Sequence, residues 1–239
     1  MPPATALLFE RLNGDRLLGS FTLIGGTALA LHIGHRLSQD LDFITTQDKL
    51  PRTLLQRLAQ NLKAEGLEVV PIDDPAAHDD FLIAGMDLHD YSQNWLVGGE
   101  VKVTFFTGEP HHKSLLQGTE GGEGFAIASF DQCRDLKAIV ATSRSKSRDW
   151  VDLFVLERDH RYGLSDWRNA YQKAGLTDGH FETALNRICS GIVQKDDEGY
   201  HSLMSNPPTV AQMARHFRDL REAYEVETAR NALAPKSSS

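Results

Sequence analysis

The chain has 239 residues, 41% of them hydrophobic, and a formal net charge of −8. That length suits one large domain or a core with a helical extension, and the apolar share supports a buried core and excludes disorder. The acidic balance excludes non-specific nucleic-acid binding over the whole surface, so any RNA contact has to come from a local basic region.

The N-terminus, MPPATALLFERLNGDR, lacks the basic start and long apolar stretch of a secretory signal, and no apolar run reaches membrane-spanning length. A soluble cytoplasmic protein is expected. Cys133 and Cys189 lie far apart without metal-ligand spacing and read as buried free thiols.

In chain order, Ala4 to Arg16 reads as an amphipathic helix with Leu7, Leu8, Phe9 and Leu12 on its apolar stripe. Phe21 to Ile24 is β-prone, Gly25-Gly26 is a strand-to-helix turn, and Thr27 to Ile33 is a helix leading to a strand that ends near Ile44. Pro51 to Ala64 is a helix with proline in its first turn. Leu67 to Ile72 suits a strand and Pro71 to Asp80 a polar break. Phe81 to Ala84 and Trp95 to Val97 are short strands, and Val101 to Phe106 is a stronger one. Gly118 to Gly124 reads as a mobile loop, because its glutamates suit a phosphate poorly, and Phe125 to Ala128 as the last strand.

From Ser129, a good N-cap, helices are expected over 130–143, 147–159, 165–174, 178–194 and 209–228, with a frayed tail from Pro235. The expected fold class is mixed α/β (α+β). An α/β core would occupy residues 1–128, and a helical region over 129–239 would complete the site and pack on the core.

The segment FTLIGGTALALHIGHRLSQDLDFIT carries the strongest chemical signal. If Leu41, Phe43 and Ile44 form a strand, a period of two sends Asp40 and Asp42 to one face. Two such carboxylates repel unless a cation sits between them. Mg²⁺ suits the place, because it takes one or two protein carboxylates and completes its shell with phosphate and water. The glycines lack a Cβ, so a ligand can approach the backbone, and the N–H groups and dipole of the following helix favour phosphate. The Thr27 hydroxyl could join them or act as an N-cap.

This stretch resembles the nucleotidyltransferase superfamily, in particular the AbiEii/AbiGii toxin family. The resemblance rests on Gly25-Gly26-Thr27-Ala28-Leu29 and His35-Arg36-Leu37-Ser38-Gln39-Asp40-Leu41-Asp42-Phe43. A second block resembles the same family: Ala128-Ser129-Phe130-Asp131, Asp135-Leu136-Lys137-Ala138, Arg144, and Arg148-Asp149-Trp150-Val151-Asp152-Leu153. The resemblance implies a nucleotidyltransferase-like mixed sheet with a helical C-terminal half. It implies Mg²⁺-dependent transfer of a nucleoside monophosphate from an NTP, with Asp40 and Asp42 on the metal and Gly25, Gly26 and Thr27 on phosphate.

Lys137 and Arg144 are seven apart, close to two helical turns, so they share a face. The resemblance assigns Lys137 to the β/γ-phosphates, where it would stabilise the leaving group; the alternative is a solvated helix face. Asp149 and Asp152 also share a face. They either belong to the site, positioning Lys137 or an arginine, or form salt bridges with Arg144 or Arg148. Arg36 either binds phosphate or complements the end of the first helix.

Many superfamily members carry a third carboxylate on a later strand, and here that position holds Thr104. Glu100, four residues earlier on the same face, is the possible substitute. The remaining histidines form no metal motif, no Gly-x-Ser-x-Gly or Walker A loop occurs, and Arg215, His216, Arg218 and Arg221 read as balanced by acids at helical spacing.

The resemblance further implies a toxin of a toxin–antitoxin or phage-defence system, with the tRNA 3′ end as acceptor and a cognate antitoxin as partner. Two rivals stand beside it: a catalytically impaired binding module acting through a protein partner, which Thr104 favours, and a small-molecule nucleotidyltransferase, which the acidity would suit.

Overall fold

The computed structural model describes residues 1–119 and 121–233. The expected frayed tail, and Glu120 of the glycine-rich segment, lie outside them. The chain divides into two compact units, Met1–Cys133 and Arg134 onward.

The first unit runs α1 (Pro3–Leu12), β1 (Thr22–Ile24), α2 (Gly25–Ile33), β2 (Leu41–Thr45), α3 (Arg52–Ala64), β3 (Val69–Pro71), α4 (Pro75–Ile83), β4 (Ser92–Val97), β5 (Val101–Thr107), α5 (Pro110–Leu115) and β6 (Ala126–Ile127). Its six strands form one mixed sheet in the order β3-β4-β5-β2-β1-β6. β2 runs parallel to β5, and β1 parallel to β6; the other neighbours are antiparallel.

Alternation along the strands sorts their side chains into two faces. Leu41 and Phe43 of β2, Val103 and Phe105 of β5, and Trp95 of β4 are buried. Phe43 and Phe105 stack with centroids 5.3 Å apart, and Trp95 meets Phe105 at 4.8 Å. Leu55, Leu58 and Leu62 of α3, at helical spacing, are buried as well. The residues between these on the strands, Asp42, Thr104 and Asn94, are half-buried and share the other face.

Several expected elements differ. The first helix stops at Leu12, where Gly14 takes φ +85°, and Arg16–Leu18 is a separate 3₁₀ turn capped by Asp15. Residues 75–83, which fall in the expected polar break at 71–80 and strand at 81–84, are instead the single helix α4. The Asp74 carboxylate caps it by accepting from the Ala76 N–H at 3.0 Å, and Pro75 fills the first helical position, where no N–H is needed. The apolar residues of α4 form no stripe along one face of the helix, and none of its residues is buried. His111 and His112 lie on α5, in a segment for which no element was expected.

Burial, helped by the neighbouring His111, pushes the His112 imidazole down to about 4. The folded state therefore resists a proton that the unfolded chain accepts near 6.5. This contribution to stability is intact above about pH 6.5 and is lost progressively as pH falls towards 4. Urea titrations of wild type and His112→Leu should diverge over that interval, with the wild type losing on the order of 2 kcal/mol more, allowing for partial solvent screening.

The unit boundary falls within α6 (Phe130–Val140), whose start is a reciprocal cap: the Gln132 N–H donates to Ser129 Oγ, and the Ser129 N–H to Gln132 Oε1. The second unit continues with α7 (Ser147–His160), α8 (Leu164–Lys173), α9 (Asp178–Ser190) and α10 (Val210–Leu233). Trp150, Trp167, Tyr171 and Phe217 are buried in it. The Tyr171 hydroxyl donates to the Ala138 carbonyl at 2.8 Å. Asp197 receives both the Ser147 N–H (2.8 Å) and hydroxyl (2.6 Å), which satisfies the first turn of α7 from a distant loop. Gly191 ends α9 in the left-handed conformation at φ +68°, three residues before the expected stop.

Candidate active site

β1 and β2 run antiparallel with Ile24 opposite Asp42, so the chain leaving β1 turns beside that carboxylate. Gly25 makes the turn at φ +75°, and a Cβ there would stand 2.7 Å from Asp42 Oδ2. A Cβ on Gly26 would stand 2.6 Å from Arg36 Nη2 and 3.0 Å from Ser38 Oγ. Gly25 thus admits a carboxylate, and Gly26 a guanidinium, close against the backbone. They open α2 itself, and the residue before them, Ile24, makes no side-chain cap. The N–H groups of this first turn carry the positive end of the helix.

The Thr27 hydroxyl donates to the Asp40 backbone carbonyl and is 1% exposed. Thr27 is therefore neither an N-cap nor a free hydroxyl; it ties the start of α2 to the approach of β2, and its backbone N–H is what the position offers a phosphate. α2 ends at Ile33 with Gly34 as its left-handed cap, so His35 and Arg36 lie beyond the helix. Arg36 instead folds back to Gly26, buried at 8% exposure, with Nη1 donating to the Leu37 carbonyl at 3.0 Å.

Asp42 is the second residue of β2, whereas Asp40 stands one residue before it, so strand alternation determines the face of Asp42 alone. Both are half-buried. Among the described residues no group of three or more His, Cys, Asp or Glu is placed to hold a metal ion. A cage built wholly from protein is thus absent there, but the oxygen chemistry of Asp40 and Asp42, against a backbone stripped of Cβ atoms, fits a hard cation that arrives with phosphate ligands.

Thr104 is in register with Asp42 on the neighbouring strand. Glu100 does not replace the missing acid: it lies in the exposed β4–β5 turn, about 13 Å of strand away.

In the second unit, the Lys137 ammonium lies 2.6 Å from Asp149 Oδ1 and 2.8 Å from Asp152 Oδ2. Arg144 Nε donates to Asp149 Oδ2 at 2.7 Å. Lys137, Asp149 and Asp152 are all buried, so the motif lysine and both motif acids form one ion cluster between α6 and α7. Burial works against the Asp149 carboxylate, yet Lys137 and Arg144 outweigh it and hold the group below the usual aspartate range. Arg148 pairs with Glu198 at 2.8 Å. Further along, Arg218 donates to the Cys189 carbonyl, and Arg221 to Glu182, Asn186 and Glu225. The C-terminal basic stretch is built into its own fold.

Three residues of the first unit escape a reading by motif. Ser38 lies inside the quoted block without a distinguishing spacing. Asn94 carried one usable signal, a polar residue at the outward parity of a strand. Asp73, which accepts from Asn94, carried none.

The family model described as "Nucleotidyl transferase AbiEii toxin, Type IV TA system" matches residues 6–230. The uncharacterized protein aq_aa25 of Aquifex aeolicus (strain VF5) is 26% identical over 166 residues, 69% of this chain and 70% of that protein. Among solved structures, JHP933 from Helicobacter pylori aligns with 19% identity over 96% of each chain at a TM-score of 0.48. MenT4, the nucleotidyltransferase toxin Rv2826c from Mycobacterium tuberculosis H37Rv, aligns with 17% identity over 97% of this chain and 94% of its own at 0.49. The glycine turn, the acidic strand beside it and the family match along nearly the whole chain lead to one conclusion: this chain belongs to the AbiEii toxin family and is a nucleotidyltransferase.

Proposed function

We propose that the protein transfers a nucleoside monophosphate from an NTP to a hydroxyl at the 3′ end of tRNA, releasing pyrophosphate, as the toxin of a toxin–antitoxin or phage-defence system. The observation that carries the reading is the approach of the Asp42 carboxylate and the Arg36 guanidinium to adjacent glycines at the start of one helix. The acceptor hydroxyl releases its proton to solvent and its oxygen forms a bond to the α-phosphorus as the bond to the pyrophosphate oxygen breaks. The Gly25–Gly26 backbone and Arg36 bind phosphate oxygens and orient the α-phosphorus for that attack. Asp40 and Asp42 would hold Mg²⁺, which when bound neutralises phosphate charge. From the family motif, Lys137 is assigned to the leaving pyrophosphate, with Arg144 as a further phosphate contact and Asp149 and Asp152 orienting Lys137. A reaction fed by NTP and tRNA belongs in the cytoplasm, and among the described residues no helix is long and apolar enough to cross a membrane.

Incubation with each labelled NTP and total tRNA tests the proposal. Label should enter tRNA with wild type, and Asp42→Ala should reduce it by a factor on the order of 10²–10³ or more. Thr104 in place of an acid favours the second reading, a binding module without catalysis. Folded wild-type protein that labels no RNA with any NTP would overturn the tRNA acceptor and favour that reading.

A further inference from the structure

A hydrogen-bonded chain starts at Thr104, the register partner of Asp42, and runs along the sheet face away from that carboxylate. Register aligns Asp42 of β2, Thr104 of β5 and Asn94 of β4 in one row. The Thr104 hydroxyl donates to Asn94 Oδ1 at 3.1 Å. Asn94 in turn gives Asp73 Oδ1 its side-chain N–H at 3.1 Å and its backbone N–H at 2.7 Å. The other oxygen of Asp73 meets His89 Nε2 at 3.2 Å.

The order of donors along this chain follows from its far end. A carboxylate only accepts, so the NH₂ group of Asn94 has to face Asp73. Its carbonyl oxygen therefore faces Thr104 and takes the hydroxyl proton. With that proton engaged, Thr104 Oγ offers lone pairs alone on the face it shares with Asp42. A neutral hydroxyl there cannot serve as a base, but it can accept.

We propose that Asp73 is a positioning residue that acts through Asn94 to hold Thr104 as a neutral acceptor beside Asp42, for a hydrated divalent cation carried in with the nucleotide. This rests on the assignment of Asp42 to the metal. A substitution at position 73 would then be felt two strands away. In Asp73→Asn, the new amide can donate to Asn94, letting Asn94 rotate and donate to Thr104. The Thr104 proton would then point towards the cation's shell and oppose binding.

The experiment measures Mn²⁺ affinity by electron paramagnetic resonance, on the full chain with a non-hydrolysable NTP analogue. Asp73→Asn and Thr104→Val are each expected to weaken Mn²⁺ binding about 10-fold, the scale of outer-shell substitutions. Thr104→Ser should restore it. The double variant should be no weaker than either single one, because both changes break one chain, and thermal midpoints should stay near wild type.

Losses that multiply in the double variant, or single variants within about twofold of wild type, overturn the proposal. Thr104→Val against Thr104→Ser carries the test should Asp73→Asn fail to fold. Asp42→Ala separates the two levels: unchanged Mn²⁺ affinity there removes the metal assignment itself, whereas lost affinity with normal Thr104→Val removes only the positioning chain.

Discussion

Gly25→Ala is expected to lower nucleotidyl transfer about 100-fold while leaving the protein folded. Two effects coincide at this position. Its φ of +75° lies in the left-handed region, where an L side chain costs roughly 1–2 kcal/mol. The added methyl would also stand 2.7 Å from Asp42 Oδ2, so the carboxylate or the helix start has to move. A displacement of about an ångström at a reacting centre is enough for a loss of that size.

Gly34→Ala is the matched control. Gly34 has φ +60°, and an added Cβ there would meet nothing within 4 Å. It should show a similar loss of stability with nearly unchanged activity. Equal activity losses in the two variants would mean that backbone strain, and not the contact with Asp42, governs the site.

Lys137→Met is expected to destabilise the protein by about 3–5 kcal/mol in chemical denaturation, a large part of the roughly 5–15 kcal/mol that holds a domain together. The ammonium sits between two carboxylates whose side chains are 2% and 0% exposed. Removing one member of a buried ion cluster leaves charge whose desolvation is no longer offset. Lost activity in this variant would therefore reflect lost structure first, and Lys137→Met combined with Asp152→Leu should recover part of the stability. A single variant within about 1 kcal/mol of wild type would contradict this account.

Asp149 adds an acid limit of known sign. Its pKa is lowered on folding, so its contribution is present above the unfolded aspartate value near 3.9 and is lost as pH falls below it. That loss lies on the acid side of the His112 interval, so the two transitions separate in a pH series.

Much of the sheet and of the motif-bearing helices was legible because their signals are local. Leu55, Leu58 and Leu62 recur at helical spacing, and Val101, Val103 and Phe105 alternate as a strand requires. α4 was misread although Asp74-Pro75 is a helix start, because a helix that buries nothing shows no periodicity. Phe81 to Ile83, β-prone by composition, follow that cap into the same helix.

By itself the sequence determined the glycine turn, the spacing of the two aspartates and the family motifs in both halves, since each depends on residues close together along the chain. Only the tertiary structure decided that Arg36 returns to Gly26, that Thr104 lies in register with Asp42, and that Lys137 is shared between Asp149 and Asp152. The reason is physical. Strand register, the return of a loop onto a helix start and the meeting of two helix faces are contacts between distant positions, chosen by the packing of the whole unit, and no local propensity encodes them.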